Sequence, residues 1–367
     1  MRGQWIGRYG GSNEGQIIIN LDDRGTFYQG VAYLVTDNDA MPSSAGFFRV
    51  KKDKNKLKAV TDFILPINPA TGTTGDWNQL KQAYPETALA ESAEINGSFS
   101  GNKLKITATT DLGTEIKAEL KREPKNAKSK LEADVLDWKG YKKLVESFAP
   151  SRLLYRGQEQ PWKLRTAYHR RGRFDLQRFI NEDIQTLHQH LSAKTNHVFN
   201  LDIAKENGAF YNLAQHHGYP TPLLDWTYSP YVAAFFAFRN ISKENPPKEN
   251  VRILLFDQKK WKTDWNQMGV LDIAGLHLSI MEFIAIENER LIPQQAVTTV
   301  TNVSDIESYI HFREGLSKNT YLKAIDIPAS ERNKVMDDLA FMGVTAGALF
   351  PGLDGACETL RERFFDA

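Results

Sequence analysis

The 367-residue sequence has one cysteine and almost no net charge, and both features narrow the class of protein. Cys357 has no partner for an intramolecular disulfide, which excludes the disulfide framework of small secreted domains. Lysine and arginine number 46 against 45 for aspartate and glutamate, so no overall field attracts nucleic acid or an anionic membrane. We expect a core thiol at Cys357 and a reducing, cytoplasmic compartment.

Long apolar runs are also missing. No stretch approaches the roughly 18 apolar residues of a membrane-spanning helix, and residues 1–15 contain no apolar segment of a secretory signal. Hydrophobic residues make up 41% of the chain and charged residues 25%, the balance of a soluble globular protein. The length exceeds one ordinary core, so we expect about two to three domains.

Several signatures of catalysis and metal binding are absent. The sequence has no G-x-S-x-G nucleophile motif, no Walker phosphate loop and no G-x-G-x-x-G at a strand-to-helix turn. His216 and His217 are adjacent, and His188 and His190 lie two residues apart on a predicted helix, so neither pair faces one ion easily. We expect no metal cofactor.

Residues 1–122 contain a series of short strands. Eight segments show period-two alternation or β-branched runs, and turn residues such as SNEG, DDRG and DLG separate them, as in β-hairpins. This pattern predicts an antiparallel β-barrel or sandwich of about seven to eight strands. Residues 69–88 interrupt the alternation with turn residues and a possible short helix, and could form a lid over a barrel mouth.

The alternation stops near residue 122. Residues 123–137 combine charge, proline and small residues, which is typical of a linker, and residues 138–367 mix helical periodicity with isolated strands. The predicted fold is therefore α+β overall, a β domain followed by a mixed α+β domain. Ser330 is expected to cap the last of its helices. The predicted helices are 137–148, 174–193, 200–218, 229–239 and 330–343, and the predicted strands are 153–158, 223–227, 251–256, 321–327 and 347–350.

Two motifs in the second region place polar groups at strand ends. LLYRGQ, residues 153–158, places Arg156, Gly157 and Gln158 at the end of an apolar strand. The glycine has no Cβ atom and so lets another group approach the backbone. In residues 214–238 the predicted strand LLDWT leads into a helix that begins at Ser229. A helix N-terminus favours phosphate, so these two strand ends are expected to form the walls of one small polar cleft.

Four motifs together resemble the FRG domain, a family named for an aromatic-Arg-Gly start. They occur in the family's order and the resemblance covers roughly residues 140–365, whereas residues 1–122 resemble small ligand-binding barrels only in general form. The motifs are LLYRGQ at 153–158, QHHGYPTPLLDWTYSPYVAAFFAF at 215–238, RLIPQQAV at 290–297 and ALFPGLDG at 348–355.

The FRG motifs are in turn remotely similar to the three-part signature of ADP-ribosyltransferases, which implies an NAD site. By that resemblance Arg156 holds the phosphate or ribose of NAD, Trp226 offers a stacking face to the nicotinamide, and Gln295 is the third element. The implied catalytic residues are Arg156, Asp225 and Gln295, and the implied NAD-binding residues are Gly157, Gln158, His216, Trp226, Thr227 and Ser229.

Gln295 stands where the transferases have a glutamate. An amide can hydrogen-bond a ribose hydroxyl but cannot act as a base, so the carboxylate would come from Glu287, Glu289 or Asp225. The same motifs also allow structural roles, with Arg156 in an ion pair, Trp226 in the core and Asp225 as a helix cap.

Two functions remain open at this point. The first is an NAD-dependent ADP-ribosyltransferase or NAD-cleaving effector, in the toxin or anti-phage setting that FRG domains resemble, with the β domain for recognition or regulation. Its acceptor, protein or nucleic acid, is not identified by the sequence. The second is a module that binds a nucleotide or phosphorylated ligand without turning it over.

Overall fold

The computed structural model describes residues 1–53, 55–124, 128–244 and 246–365. Its N-terminal region is a closed antiparallel barrel of eight strands, in which each strand pairs with the next and the last pairs with the first. The predicted β domain is therefore confirmed as a barrel. Its strands are β1 Gly3–Gly11, β2 Gly15–Asp23, β3 Phe27–Thr36, β4 Ser44–Lys51, β5 Lys56–Pro66, β6 Ala93–Ser100, β7 Lys103–Thr110 and β8 Glu115–Lys121.

The barrel interior is filled by the apolar residues of the alternating strands. Trp5, Ile19, Leu104 and Leu120 are among the fully buried members of this cluster, and an apolar cavity of about 130 Å³ remains beside them. Closure removes the exposed strand edges that an open sheet would present. The interrupting segment forms helix α1, Trp77–Leu80, and a 3₁₀ turn, Lys81–Ala83.

The second region is built on a sheet of seven strands in the order β13-β14-β11-β10-β12-β15-β9, antiparallel except for β15 and β9. It confirms the mixed α+β prediction. Its strands are β9 Ala133–Val135, β10 Leu153–Gln158, β11 Leu223–Thr227, β12 Asn250–Asp257, β13 Leu278–Met281, β14 Ala296–Thr301 and β15 Leu322–Pro328.

Helices surround this sheet. They are α2 Trp138–Glu146, α3 Ala167–Arg170, α4 Leu176–Arg178, a π-helical turn Phe179–Asp183, α5 Ile184–Leu191, α6 Ala204–His216, α7 Pro230–Phe238, α8 Gln258–Asp264, α9 Ile306–Ser317, a 3₁₀ turn Ala329–Glu331, α10 Arg332–Phe341, α11 Ala346–Leu349 and α12 Leu353–Phe364. No helix among the residues that the structure describes is both long and apolar enough to cross a membrane.

Helix α7 begins as the sequence predicts and packs closely on β10. The Ser229 side chain accepts a hydrogen bond from the backbone N–H of Val232, and Pro230 occupies the first helical position. A Cβ atom on Gly157 would lie 1.9 Å from the carbonyl oxygen of Ala233. Glycine at position 157 therefore allows the backbone of helix α7 to approach β10 closely.

Four local predictions differ from the structure. Residues 347–349 belong to helix α11, which Thr345 caps, and Phe350 follows the end of that helix, so 347–350 do not form a strand. Ser330 lies inside a 3₁₀ turn and does not cap α10. The helix predicted over 174–193 is divided by the π-helical turn. Cys357 is exposed on α12 and is not a core thiol.

The predicted linker, 123–137, is only partly visible because 125–127 lie outside the described residues. At its end Ala133–Val135 form β9, which pairs with β15, and Asp137 caps α2. The domain boundary there stays a prediction.

The barrel and the second region meet through buried polar contacts. Arg173 Nε donates to Asp22 Oδ2 at 2.6 Å, and the backbone N–H of Phe174 donates to Asp22 Oδ1 at 2.6 Å. Gln4 Nε2 donates to the carbonyl oxygen of Asn302 at 2.7 Å. The Asp22 side chain is fully buried, so these contacts supply the partners that a buried carboxylate requires.

Candidate functional site

Strands β10 and β11 diverge after a single paired position, Tyr155 opposite Thr227. The gap contains two adjoining cavities of about 250 and 600 Å³, which share Arg156 and Asp225 and which we call the cleft. The structure brings six of the sequence-predicted residues to its lining: Arg156, Gly157, His216, Asp225, Trp226 and Thr227.

Arg156 is a partly buried cation with few partners. Its Nη1 donates to the backbone carbonyl oxygen of Asp225 at 2.6 Å, while its Nε is buried without a hydrogen-bond partner. No carboxylate lies within ion-pair distance of Arg156 among the described residues. Burial lowers the pKa of Arg156 to about 10, with Asp225 opposing the shift and Arg170 adding to it. A guanidinium in this state is suited to receive an anion.

Three more arginines line the cleft. Arg170 and Arg171 come from the end of α3, and Arg290 comes from the loop before β14. Burial lowers the pKa of Arg170 as well, and the guanidinium of Arg290 lies 5.4 Å from the centre of the Phe350 ring. Among the described lining residues Asp225 is the one carboxylate, so the cleft carries an excess of positive charge.

Asp225 is held by side chains of α6 and of the turn before β11. Gln215 Nε2 donates to Asp225 Oδ1, and Thr221 Oγ1 donates to Gln215 Oε1. This relay fixes the Gln215 amide because a hydroxyl that donates to its oxygen leaves the nitrogen to face the carboxylate. Asp225 is therefore oriented within the cleft and is not used as the cap of α7.

His216 is oriented by two asparagines. Asn288 Nδ2 donates to His216 Nδ1 and to Asn212 Oδ1, so the proton of a neutral His216 imidazole is on Nε2. Burial lowers the pKa of His216, which keeps the ring neutral at pH 7. Nδ1 is thus engaged as an acceptor, and His216 can donate from Nε2 but cannot take up a proton readily.

The Trp226 indole lies in the core and not in the expected stacking position. Its ring is 3% exposed, its centre lies 5.4 Å from that of Phe256, and its Nε1 donates to Thr299 Oγ1 at 3.0 Å. Strand β11 is covered on both faces, and the Trp226 side chain packs in the apolar cluster beneath the sheet. The indole face is already occupied.

The third predicted element is shifted by one residue. Gln295 is exposed and has a positive φ of 46°, so its side chain turns away from the cleft. Gln294 lines the cleft instead. Its Nε2 donates to the carbonyl oxygen of Leu349 at 2.9 Å, and its own carbonyl oxygen accepts from Thr227 Oγ1 at 2.7 Å. Gln294 joins β11 to α11 at the cleft wall.

The remaining predicted residues lie outside the lining. Gln158 Nε2 donates to the carbonyl oxygen of Trp162 at 3.2 Å, and the Ser229 hydroxyl caps α7. Glu287 and Glu289 are exposed, and Glu287 accepts from the backbone N–H of His197 at 2.6 Å. Of the carboxylates that the sequence offered, the structure brings Asp225 to the cleft.

Sequence reasoning missed the arginines other than Arg156. The run RTAYHRRGR, 165–173, carried a signal for two of them because it places four arginines within nine residues. Arg290 opens the quoted third motif, but its role depends on a loop path that no periodicity predicts.

Comparison with known proteins gives one family match. No curated protein shows a significant match to the chain. Among solved structures, a redesigned β-barrel titled mFAP1, bound to DFHBI, is 12% identical, covers 33% of this chain and 94% of that chain, and has a TM-score of 0.24. A second redesigned barrel, titled b11L5F_LGL, is 14% identical, covers 34% and 91%, and has a TM-score of 0.22.

The family match falls on the cleft. Residues 151–246 match the FRG domain, and this range contains β10, α3, α6, β11 and α7, the elements that supply most of the lining. The sequence resemblance is confirmed, and the chain carries an FRG domain in its C-terminal region.

Proposed function

We propose that the cleft binds a phosphate-bearing nucleotide, with NAD as the first candidate, and cleaves it at the nicotinamide ribose. The observation that carries the proposal is the partly buried Arg156, which has a buried, unpartnered Nε and no carboxylate partner among the described residues. Burying an unpaired cation is costly unless a ligand completes its hydrogen bonds. A pyrophosphate supplies oxygens for Arg156 and for the neighbouring Arg170.

NAD is chosen among phosphate-bearing ligands because of the family. The FRG motifs are similar to those of ADP-ribosyltransferases, and the matched range supplies Arg156 and Asp225 to one cleft. The cleft volume, about 250 and 600 Å³ in its two parts, falls in the ordinary range of ligand sites.

The chemistry would depend on Asp225. When the bond between nicotinamide and C1′ breaks, nicotinamide leaves with the bonding electron pair and positive charge develops on the ribose, which a nearby carboxylate stabilises. Water or an acceptor oxygen then bonds to C1′ and loses its proton. His216 cannot readily accept that proton because Asn288 donates to its Nδ1, so Asp225 is the base in this proposal.

Calorimetry with NAD, paired with an assay of nicotinamide release, tests the proposal on wild type, Arg156→Ala and Asp225→Asn. We expect Arg156→Ala to weaken NAD binding by about 1.5–3 kcal/mol, the value of hydrogen bonds to charged groups. Asp225→Asn should retain NAD binding and lose turnover. Absence of NAD binding by the wild type at millimolar concentration would overturn the proposal.

A second candidate is binding without turnover. It is favoured by the amide at the third element, since Gln294 lines the cleft where a transferase has a carboxylate, and its Nε2 is already engaged by Leu349. NAD binding with no nicotinamide release from the wild type would select this candidate. In either case the family resemblance points to an effector setting, toxin or anti-phage, in which the barrel recognises a partner or regulates the cleft.

A further inference from the structure

A second polar cavity lies where the barrel meets the second region, residues 128–365, which we call the FRG region because it contains the matched residues 151–246. It has a volume of about 350 Å³ and is lined by both regions. The barrel contributes Arg2 and, just beyond β8, Arg122, while Arg165 and His169 come from the segment around α3. We call it the junction cavity, and it shares no lining residue with the cleft.

The junction cavity is positively charged. Arg122 Nη1 donates to the carbonyl oxygen of Arg2 at 2.6 Å, and its guanidinium lies 4.6 Å from the centre of the Trp5 ring. Neither arginine has a carboxylate within ion-pair distance among the described residues. Burial above all, together with the neighbouring Arg2, lowers the pKa of Arg122. Two guanidinium groups therefore line the cavity without an ion-pair partner among the residues that the structure describes.

The two carboxylates at the cavity are paired with lysines that lie outside it. Asp23 pairs with Lys52 at 2.6 Å, and Glu123 lies 3.1 Å from Lys163, which it shares with Asp305. Neither lysine is among the lining residues. Arg2 and Arg122 therefore have no ion-pair partner among the described residues and are open to an external anion.

His169 adds a directed donor. Its side chain is 3% exposed, and its Nδ1 lies 2.8 Å from Thr166 Oγ1, which also accepts from the backbone N–H of His169. When the Thr166 hydroxyl donates to Nδ1, Nε2 carries the ring proton. That Nε2 is buried without a partner at the cavity wall. Burial and Arg165 lower the pKa of His169 to about 3, so the ring is neutral.

Backbone packing brings the arginines to this place. Gly172 has a φ of +74°, and a Cβ atom there would lie 2.8 Å from the guanidinium carbon of Arg2. Gly3 is similarly close to Arg122, 3.1 Å from its Cδ. Glycine at both positions leaves room for the guanidinium groups beside the cavity.

We propose that the junction cavity binds a small phosphate-bearing anion, ranging from pyrophosphate to a nucleotide, through Arg2, Arg122 and His169. Two unpaired guanidinium groups fit phosphate oxygens, and the neutral His169 donates one further hydrogen bond. The site is separate from the cleft, and the barrel and the FRG region each supply part of it.

The test uses the full chain with Arg156→Ala, which removes the main anion contact of the cleft. Calorimetry with inorganic pyrophosphate and with ADP measures binding in this protein and after adding Arg2→Ala or His169→Phe. We expect each added substitution to raise Kd by about tenfold to a hundredfold, the effect of losing a hydrogen bond to a charged group. His169→Gln, which keeps an N–H near the Nε2 position, should retain most of the affinity.

Arg49→Ala is the matched control, since Arg49 is an exposed barrel arginine whose partner Asp62 lies 3.6 Å away, and Kd should not change. Binding of both probes with similar Kd identifies the phosphate as the ligand group, and tighter ADP binding identifies a nucleotide. If neither probe binds at millimolar concentration, or if Arg2→Ala has no more effect than Arg49→Ala, the proposal is wrong. Either failure leaves the NAD proposal for the cleft intact.

Discussion

The barrel and the FRG region bury different chemistry. Among the described residues of the barrel, the buried polar side chains are Gln4, Asn20, Asp22 and Thr61, and the first three belong to the network at the junction with the FRG region. The FRG region buries many more, including the Arg252–Asp326 pair within its sheet. The barrel is therefore stabilised by apolar packing and strand pairing, with charge confined to the surface and the junction.

The difference shows how each region reaches a defined structure. Consecutive strands of the barrel are hydrogen-bonded neighbours around a closed ring, so strand pairing and an apolar interior are sufficient. The FRG sheet joins strands that are distant in sequence, and its buried hydrogen bonds and ion pairs specify which side chains meet. Arg156 is the exception, because its charge is partly buried without an ion-pair partner among the described residues.

The largest effect is expected at Gly157, where FRG packing is tightest. Gly157→Ala would place Cβ 1.9 Å from the Ala233 oxygen and 2.7 Å from the Ala237 nitrogen. Because both contacts are backbone atoms of α7, the substitution should lower the free energy of unfolding by at least about 4 kcal/mol. Gly10→Ala in the barrel, where a Cβ meets nothing within 4 Å, should change it by less than about 0.5 kcal/mol. Urea unfolding measures both, and equal losses would contradict the difference in packing.

The second-largest loss of stability is expected at the junction between the barrel and the FRG region. Asp22→Asn removes the charge that Arg173 contacts at 2.6 Å in a fully buried position, and we expect a loss of about 3 kcal/mol in the free energy of unfolding. Glu119→Gln is the barrel control, because Glu119 is exposed and lies 3.6 Å from Lys105, and it should cost less than about 0.5 kcal/mol. A loss for Asp22→Asn as small as the control's would show that the junction is not stabilised by charge.

Acid sensitivity should reside in the FRG region, since residues 1–122 contain no histidine. Burial lowers the pKa of His277 to about 4, below its ordinary 6.5 in the unfolded chain, so the unfolded state binds the proton first as pH falls. Stability is thus present above pH 6.5 and lost toward pH 4. Between pH 7 and pH 5, wild type should lose about 2 kcal/mol more than His277→Gln.

His311→Gln is the control for this pH dependence, because the His311 side chain is 89% exposed and meets water in both states. Its unfolding free energy should follow the wild-type profile. Identical pH profiles for His277→Gln and the wild type would show that the burial of His277 does not contribute to acid sensitivity.

The smallest effect on stability is expected where a buried charge is unpaired. Arg156→Met should change the free energy of unfolding by no more than about 1 kcal/mol, in either direction, because the methionine removes a desolvated cation and keeps the apolar stem. Arg252→Met on the neighbouring β12 should lose about 3 kcal/mol or more, since Arg252 makes two bonds of 2.8 and 2.9 Å to Asp326. Thermal or urea unfolding without ligand compares them, and a large loss for Arg156→Met would assign Arg156 a structural role.

The barrel could be predicted because short stretches of sequence encode each of its strands and turns. Alternation marks each strand, and short turns place the next strand beside it, so eight strands in sequence order also give the topology. In the FRG region the motifs predicted β10, β11 and the start of α7. The meeting of Arg156 and Asp225 followed from placing both at strand ends.

The errors in the cleft come from side-chain direction. β11 is covered on both faces, so no alternation shows that Trp226 faces the core, and the left-handed backbone at Gln295 changes which glutamine enters the cleft. The short apolar run 347–350 is equally ambiguous, since four residues cannot distinguish a helix turn from a strand. These features depend on tertiary packing that the local sequence does not contain.

Helix α3 is a single turn, and it lies between the two charged cavities. His169 lines the junction cavity, while the next residue, Arg170, lines the cleft. If a ligand on one side holds this turn in the orientation that the other ligand requires, thermodynamic reciprocity makes each ligand tighten the other by the same factor. The barrel would then influence the cleft through four residues of helix, without any movement of the sheet.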